Sequence, residues 1–483
     1  MYALLRAVAG LALHWYYRRV DVEGADRIPR RGPLLLAVNH PNALVDALLV
    51  GWSIPRRIVI TAKATLFQHA LLAWFLRHVG VVPLIRASDL PPGAASDRTQ
   101  PSRNAQSFRA LLDVLRRGGA ILIFPEGKSH DEPALAPLRT GTARIALEAR
   151  DGAGVQGLSI VPVGLTFERK EAPRSRVLVQ VAQPIALNDW IAPNGENAPQ
   201  ALTDELDVRL RAVTVNYATS DDAARATALA SLFTGLFRPP APLDPAGRSL
   251  HEQVSIARRI QESRQRLASA TPALRERADH LLHRLEEFEQ KLRARDITAD
   301  DLEISTSWRA GVRFLARLAG MLVVAGPLAL WGQINHWIPF HAARAIAMRS
   351  VESASDPAMR TILTGCALVL GFYAIQGAAV AAAFGGVVAA VYLATLPLAA
   401  QVMLRWRDHA ARARRRARTF LVLRRHPGMA ERLRDEMRWL RAEALTIDAA
   451  LRALSASEPA DMGRPDPSAR PFAAHPYEDP SAA

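Results

Sequence analysis

Residues 39 to 46 read Asn39-His40-Pro41-Asn42-Ala43-Leu44-Val45-Asp46, an imidazole followed closely by a carboxylate. A general base held in one tautomer needs that pairing: neutral His accepts a proton near pH 7, and the carboxylate steadies the imidazolium that forms. The matching chemistry is a hydroxyl losing its proton as it attacks an acyl carbon; the other reading is a structural histidine. A second polar segment, Ile123-Phe124-Pro125-Glu126-Gly127-Lys128-Ser129-His130, closes a strand, where α/β domains place ligand sites. Its Gly127-Lys128-Ser129 resembles the tail of a phosphate-binding loop, but the required earlier glycine falls at position 122, which is Leu. His130-Asp131-Glu132 lacks a spaced second His and reads as a solvated loop, not a metal site. Arg86, Lys63 and Arg139 are cations beside these segments: Arg86 is either a phosphate clamp or a strand-end surface charge, and the other two read as solvated.

Four ordered motifs span about a third of the chain, residues 17 to 190. They are His40 with its downstream Asp46, the stretch Gly80-Val81-Val82-Pro83-Leu84-Ile85-Arg86, then Phe124-Pro125-Glu126-Gly127, then Val161-Pro162-Val163-Gly164. In that order and spacing the chain resembles the glycerophospholipid (PlsC-type) acyltransferase superfamily, and most closely its glycerol-3-phosphate/dihydroxyacetone-phosphate acyltransferase branch. The resemblance implies that His40 is the catalytic base and Asp46 its orienting carboxylate. It implies that Asn39, Arg86, Glu126, Gly127 and Lys128 bind substrate, with Arg86 on phosphate. It further implies an acyl thioester donor, acyl-coenzyme A or acyl-carrier protein, a phosphorylated glycerol-type acceptor, no bound cofactor and no metal. Lysophosphatidic acid is the alternative acceptor, and a catalytically silent lipid-binding membrane scaffold the alternative class. Two departures stand out: five residues separate His40 from Asp46 where most members have four, and Lys128-Ser129 stands where the family usually has Thr-Arg.

Positioning these residues requires alternating strands and helices. Apolar runs at Pro33–Val38, Arg57–Thr61, Ala120–Phe124, Ile160–Leu165 and Val177–Val181 read as strands. Helical periodicity covers Ala43–Trp52, Thr65–His78, Ser107–Arg117 and Thr142–Ala149, with a Pro- and Ser-rich surface loop from Ala87 to Gln106. Pro162 and Gly164 are expected to shape a strand end, and Phe124 to be core.

Composition sets the remainder. Of 483 residues, 61 are basic and 46 acidic, giving a net charge of +15; only four of the basic residues are Lys. Thr361–Leu404 runs 44 residues without a charge, which excludes an ordinary soluble enzyme and suits two helices of about 20 residues each. The Arg cluster from Arg405 to Arg418 follows directly, as anionic headgroups and the positive-inside rule select; no motif for nucleic acid accompanies it. Single Cys366 excludes a disulfide scaffold.

The expected fold is an α/β acyltransferase domain, a sheet flanked by helices, followed by a helical region and a C-terminal transmembrane helical hairpin. Its boundaries are an interfacial helix 1–19 (or a core helix), the catalytic domain 20–200, helical 201–310, membrane segments 311–405, basic helical 406–456 and a disordered tail 457–483. Leu267, Leu274, Leu281 and Phe288, spaced by seven, predict one seam along a helix. Leu318–Phe340 is apolar but interrupted by Gly326-Pro327 and Pro339. Three complete crossings would put the Arg-rich flanks before Leu318 (Arg309, Arg313, Arg317) and after Leu404 on opposite sides, so this segment is expected to be re-entrant or interfacial at its Gly-Pro break, leaving two true crossings. The location implied is a bacterial inner membrane, multi-pass, with the catalytic domain on the cytoplasmic face.

Overall fold

All five apolar runs become strands, in the middle of an eight-stranded sheet in a computed structural model. The structure describes residues 2–68, 73–74, 80–84, 100–193, 197–233, 250–304, 307–349 and 357–457. The strands are β1 (Arg19–Glu23), β2 (Leu34–Val38), β3 (Ile58–Lys63), β4 (Val82–Leu84), β5 (Ala120–Ile123), β6 (Ser159–Phe167), β7 (Arg176–Val181) and β8 (Ile185–Ala186). Their order is β1-β7-β6-β2-β5-β3-β4, with β8 also on β6. Pairing is parallel except where β6 meets β7 and β8. Strands β2, β5 and β7 are buried on both faces, so β2 and β5 read as unbroken apolar runs, and β7 as one interrupted only by Gln180 after Arg176. Edge strand β1 (Arg-Val-Asp-Val-Glu) and the three-residue β4 escaped that signal, one through charge and one through brevity.

Around the sheet lie α1 (Tyr2–Tyr16), α2 (Ala43–Ser53), α3 (Gln100–Arg116), α4 (Gly141–Leu147, running into a π turn) and α5 (Ala198–Val213). Alternation along β2 sorts the layers. Leu35 and Ala37 face the core under α3, α4 and α5 with Leu111, Ala146 and Leu206, while Leu34 and Leu36 meet Ala47 and Val50 of α2. Helix α3 starts seven residues before its expected first residue. Pro101 is tolerated in a first helical turn, whose N–H groups lack intrahelical partners anyway. Residues 87–99 of the expected loop, and most of the expected Thr65–His78 helix, lie outside the described residues; Ala64–Phe67 forms a 3-10 turn.

The helical region comprises α6 (Ser220–Phe233), α7 (Leu250–Leu267) and α8 (Pro272–Arg293), and the last element among the described residues is α12 (Pro427–Ser457). The seam by sevens is present but belongs to two helices. Leu267 ends α7, Thr271 caps α8 by accepting from the Leu274 N–H, and Leu274, Leu281 and Phe288 pack on Leu433, Met437 and Leu440 of α12. Residues 458–483, the expected tail, lie outside the described residues.

Between these parts run α9 (Trp308–Arg349), α10 (Pro357–Phe384) and α11 (Gly386–Arg425). By length and composition, three helices among the described residues can cross a membrane, which marks a membrane protein. The α10–α11 hairpin turns at Gly385, whose φ of +86° favours glycine. Gly326-Pro327 does not break α9, contrary to expectation; a proline inside a helix removes a hydrogen bond and kinks the rod without ending it. Yet Gly311 sits beside Phe420 near the start of α9, Asn335 accepts from the Tyr392 hydroxyl at 2.6 Å, and Phe340 lies under the Arg407 guanidinium at 4.5 Å. The path of α9 thus leaves the Arg-rich half of α11, reaches toward its apolar half, and returns.

Candidate active site

Strand β2 delivers Asn39 and His40 to its C-terminal end, and Pro41-Asn42 turns the chain into α2. The five-residue spacing is absorbed in that turn. Ala43 takes a φ of +41°, a left-handed conformation costing a non-glycine residue about 1–2 kcal/mol. Asp46 then lies in the first turn of α2, where the helix dipole favours a carboxylate. His40 Nδ1 and Asp46 Oδ2 are 3.0 Å apart, and the Asn42 N–H donates to the same oxygen at 2.7 Å. Asp46 is fully buried, and its Oδ1 has no partner among the described residues. Burial pushes its carboxyl above the usual carboxylate range; the hydrogen bonds from His40 and Asn42 pull the other way. His40 is 8% exposed, its ring stacks on Phe124 with centroids 3.7 Å apart, and no hydrogen bond to its Nε2 is found among the described residues.

Glu126, on the loop after β5, is buried and fully engaged. One carboxylate oxygen accepts from the His40 N–H at 2.6 Å; the other accepts from the Ala136 N–H at 2.9 Å and meets His130 Nε2. Its place is that of a brace between the β2 and β5 loops, not of a side chain with an oxygen free for an acceptor. His130 is correspondingly no solvated residue, since its side chain is largely buried on Glu126. Gly127 has a φ of +75°, and a Cβ there would lie 2.9 Å from the Arg139 side chain. Arg139 is exposed but lays its stem across that glycine, and Lys128 projects into solvent beside it. Asn39 ties β2 to β6: its amide donates to Leu165 O at 3.1 Å and accepts from Leu165 N–H at 2.7 Å. With both ends engaged, Asn39 holds the site's framework together. Arg86 lies outside the described residues, and Lys63 ends β3. Gly164 shapes its strand, because a Cβ would fall 2.0 Å from Val213 O at the end of α5.

Four residues that pattern reading missed complete the site. Asn42 donates from its amide to the Tyr17 hydroxyl at 3.2 Å, and burial drives that phenol's pKa upward so that it stays neutral. Lys170 pairs with Asp131 and reaches Pro41 O at 3.3 Å. Phe124, read as core, stacks on the His40 ring. Asn42 and Phe124 stand inside the first and third motifs, but only proximity in space gives them these contacts, and only proximity marks Tyr17 and Lys170 at all. A cavity of about 300 Å³ lies beside the pair, lined by Asn39, Glu126, His130, Leu165, Lys170 and Tyr217.

A buried His–Asp pair at the C-terminal end of a mainly parallel sheet, with a carboxylate bracing two loops above it, defines an α/β domain equipped for general-base chemistry. Residues 19–166 match the family model described as Acyltransferase. The chain is similar to an uncharacterized acyltransferase of Schizosaccharomyces pombe, 22% identical over 290 residues that cover 43% of each protein. It is similar to glycerol-3-phosphate O-acyltransferase 2 of Saccharomyces cerevisiae, 31% identical over 103 residues covering 21% of this chain and 14% of the relative. A third relative is 1-acyl-sn-glycerol-3-phosphate acyltransferase of Cocos nucifera, 28% identical over 192 residues, covering 38% of this chain and 55% of that one. In each case the match spans less than two thirds of the relative's length.

Proposed function

We propose that the protein is a membrane-bound O-acyltransferase of phospholipid biosynthesis. It moves a fatty acyl group from acyl-coenzyme A or acyl-carrier protein to glycerol-3-phosphate or a closely related phosphorylated acceptor. The observation that carries this reading is the 3.0 Å His40–Asp46 hydrogen bond, formed across the longer spacing. Asp46 accepts from Nδ1–H and leaves Nε2 as the base. Nε2 takes the proton of the acceptor hydroxyl while its oxygen bonds to the acyl carbon; the carbon–sulfur bond then breaks and the proton passes to the departing thiolate. No bound cofactor takes part. The acceptor's phosphate would be held by cations around the loop after β5, with Lys128 and Arg139 in place and Arg86 expected to join them. The Arg-rich half of α11 favours a cytoplasmic placement of the domain on an inner membrane.

The test is membranes containing the protein, labelled acyl-coenzyme A, and a panel of glycerol-3-phosphate, dihydroxyacetone phosphate and lysophosphatidic acid. Acylation of glycerol-3-phosphate or dihydroxyacetone phosphate, lost in His40→Ala, supports the proposal. Exclusive acylation of lysophosphatidic acid replaces the acceptor, and no transfer to any of the three leaves a lipid-binding scaffold.

A further inference from the structure

A second and larger cavity, of about 530 Å³, lies away from the His–Asp pair, between α1 and the α10–α11 hairpin. Its volume falls within the roughly 300–1,000 Å³ of small-ligand sites. Its walls are graded. Val8, Leu11 and Trp15 of α1 face Val369 and Leu370 of α10, and Leu370 is 67% exposed for want of anything to cover it. Arg18, Arg19, Arg174, Arg405 and His409 line the same cavity, against the single carboxylate of Asp408.

Those rim cations are not equivalent. Arg19 is engaged by Asp21 at 2.5 Å and Arg174 by Asp408 at 2.5 Å. Arg18 is half-buried, its Nε is buried without a hydrogen-bond partner, and no ion pair to it is found among the described residues. Burial depresses its pKa; Arg176 and Arg174 add to that, while the carboxylates of Glu168 and Asp408 act the other way without hydrogen-bonding its Nε. A buried, unpaired donor beside an apolar trough between membrane helices is costly unless an anion with an apolar body fills the place.

We propose that this groove binds one anionic diacyl phospholipid, its phosphate on Arg18 with Arg405 nearby and its acyl chains along Leu11, Trp15 and Leu370. Charge complementarity selects an anionic lipid over a zwitterionic one, and the apolar wall selects a lipid over free phosphate. The lipid would fill the gap between the catalytic domain and the hairpin, which Arg174 and Asp408 otherwise bridge. The site is separate from the acyl-transfer site and does not depend on catalysis.

The test uses the full chain, delipidated in a neutral detergent and followed by native mass spectrometry and thermal unfolding. The ligands are dioleoyl phosphatidylglycerol, dioleoyl phosphatidylcholine and inorganic phosphate. Phosphatidylglycerol should bind one to one and raise Tm, at least about tenfold more tightly than phosphatidylcholine, since the phosphate gains a charge-assisted hydrogen bond. Inorganic phosphate should not protect. Arg18→Gln should remove the preference between the two lipids. Leu370→Trp, at an exposed position where no packing is lost, should block binding by filling the groove, whereas His40→Ala should leave it intact. Equal affinity for both lipids, full protection by phosphate alone, or loss of binding in His40→Ala but not in Arg18→Gln would each overturn the proposal.

Discussion

His40 and Asp46 divide the labour unequally, and their substitutions should separate accordingly. His40→Ala removes the base together with one stacking contact on Phe124, so acyl transfer should fall about 10²–10⁴-fold while circular dichroism still reports a folded protein. Turnover above about a tenth of wild type would end the general-base assignment. Asp46→Asn should also be slow, because an amide no longer enforces the tautomer that frees Nε2. Its stability should move the other way. A carboxyl whose native pKa is raised by burial stabilises the fold below its unfolded pKa and loses that contribution as pH climbs through the native one. Asn does not titrate, so the Tm of Asp46→Asn relative to wild type should rise as pH climbs above the ordinary carboxylate range of about 4. A flat or falling difference would mean that Asp46 is not held above the usual carboxylate range.

At the scale of elements, two glycine positions and one helix carry testable weight. Gly164→Ala places a methyl group into Val213 O, 2.0 Å from the ideal Cβ, so β6 and α5 must separate. A loss of about 1–3 kcal/mol is expected in denaturant unfolding of the detergent-solubilised protein, typical of overpacking; an unchanged midpoint would show the α5 terminus to be yielding. Gly332 has a similar place in the membrane region, where a Cβ would lie 2.3 Å from Ala399 O and the backbones of α9 and α11 approach closely. The returning path of α9 predicts its topology. Single cysteines at Ser307, Arg349 and Gly386, in a Cys366→Ala background, are probed on intact cells with an impermeant maleimide. Gly386, at the hairpin turn, should react and the two positions flanking α9 should not. Reaction at Ser307 together with Gly386 would show that α9 crosses completely.

Across the whole molecule, the α/β domain is joined to the long apolar helices through Arg174. Its guanidinium donates to Asp408 of α11 and to the carbonyls of His14 and Trp15 at the end of α1, at 3.0 and 3.3 Å. It thereby caps one helix and ties it to another. Arg174→Ala should lower Tm more than Asp408→Ala, because only the former also strips the α1 carbonyls. A double-mutant cycle should return a coupling of about 1 kcal/mol or more for this largely shielded pair. Zero coupling would reduce the pair to a surface contact. The helical region serves the same assembly: Arg415 reaches Asp301 at 3.7 Å and Arg441 reaches Glu303 at 2.8 Å, so the segment before α9 is fastened to α11 and α12.

The sequence alone determined the strands buried on both faces, since these need continuous apolar runs, and it determined the hairpin, since 44 uncharged residues are too long for one span. It also marked His40 and Asp46 by their types and close spacing, and Glu126 by the Phe-Pro-Glu-Gly motif at a strand end. Other features depended on residues distant in sequence. Whether five intervening residues would break the His–Asp pair was decided by Ala43 entering the left-handed region. Glu126 became a brace only once folding brought His40, His130 and Ala136 to it. The seam by sevens was legible, but its division at Leu267 and its partner α12 were not, for a repeat does not name what it packs against. Arg18 shows the same limit. In the sequence it is one of many arginines; only the packing of α1 against the hairpin buries it without a partner, because burial depends on which surfaces meet.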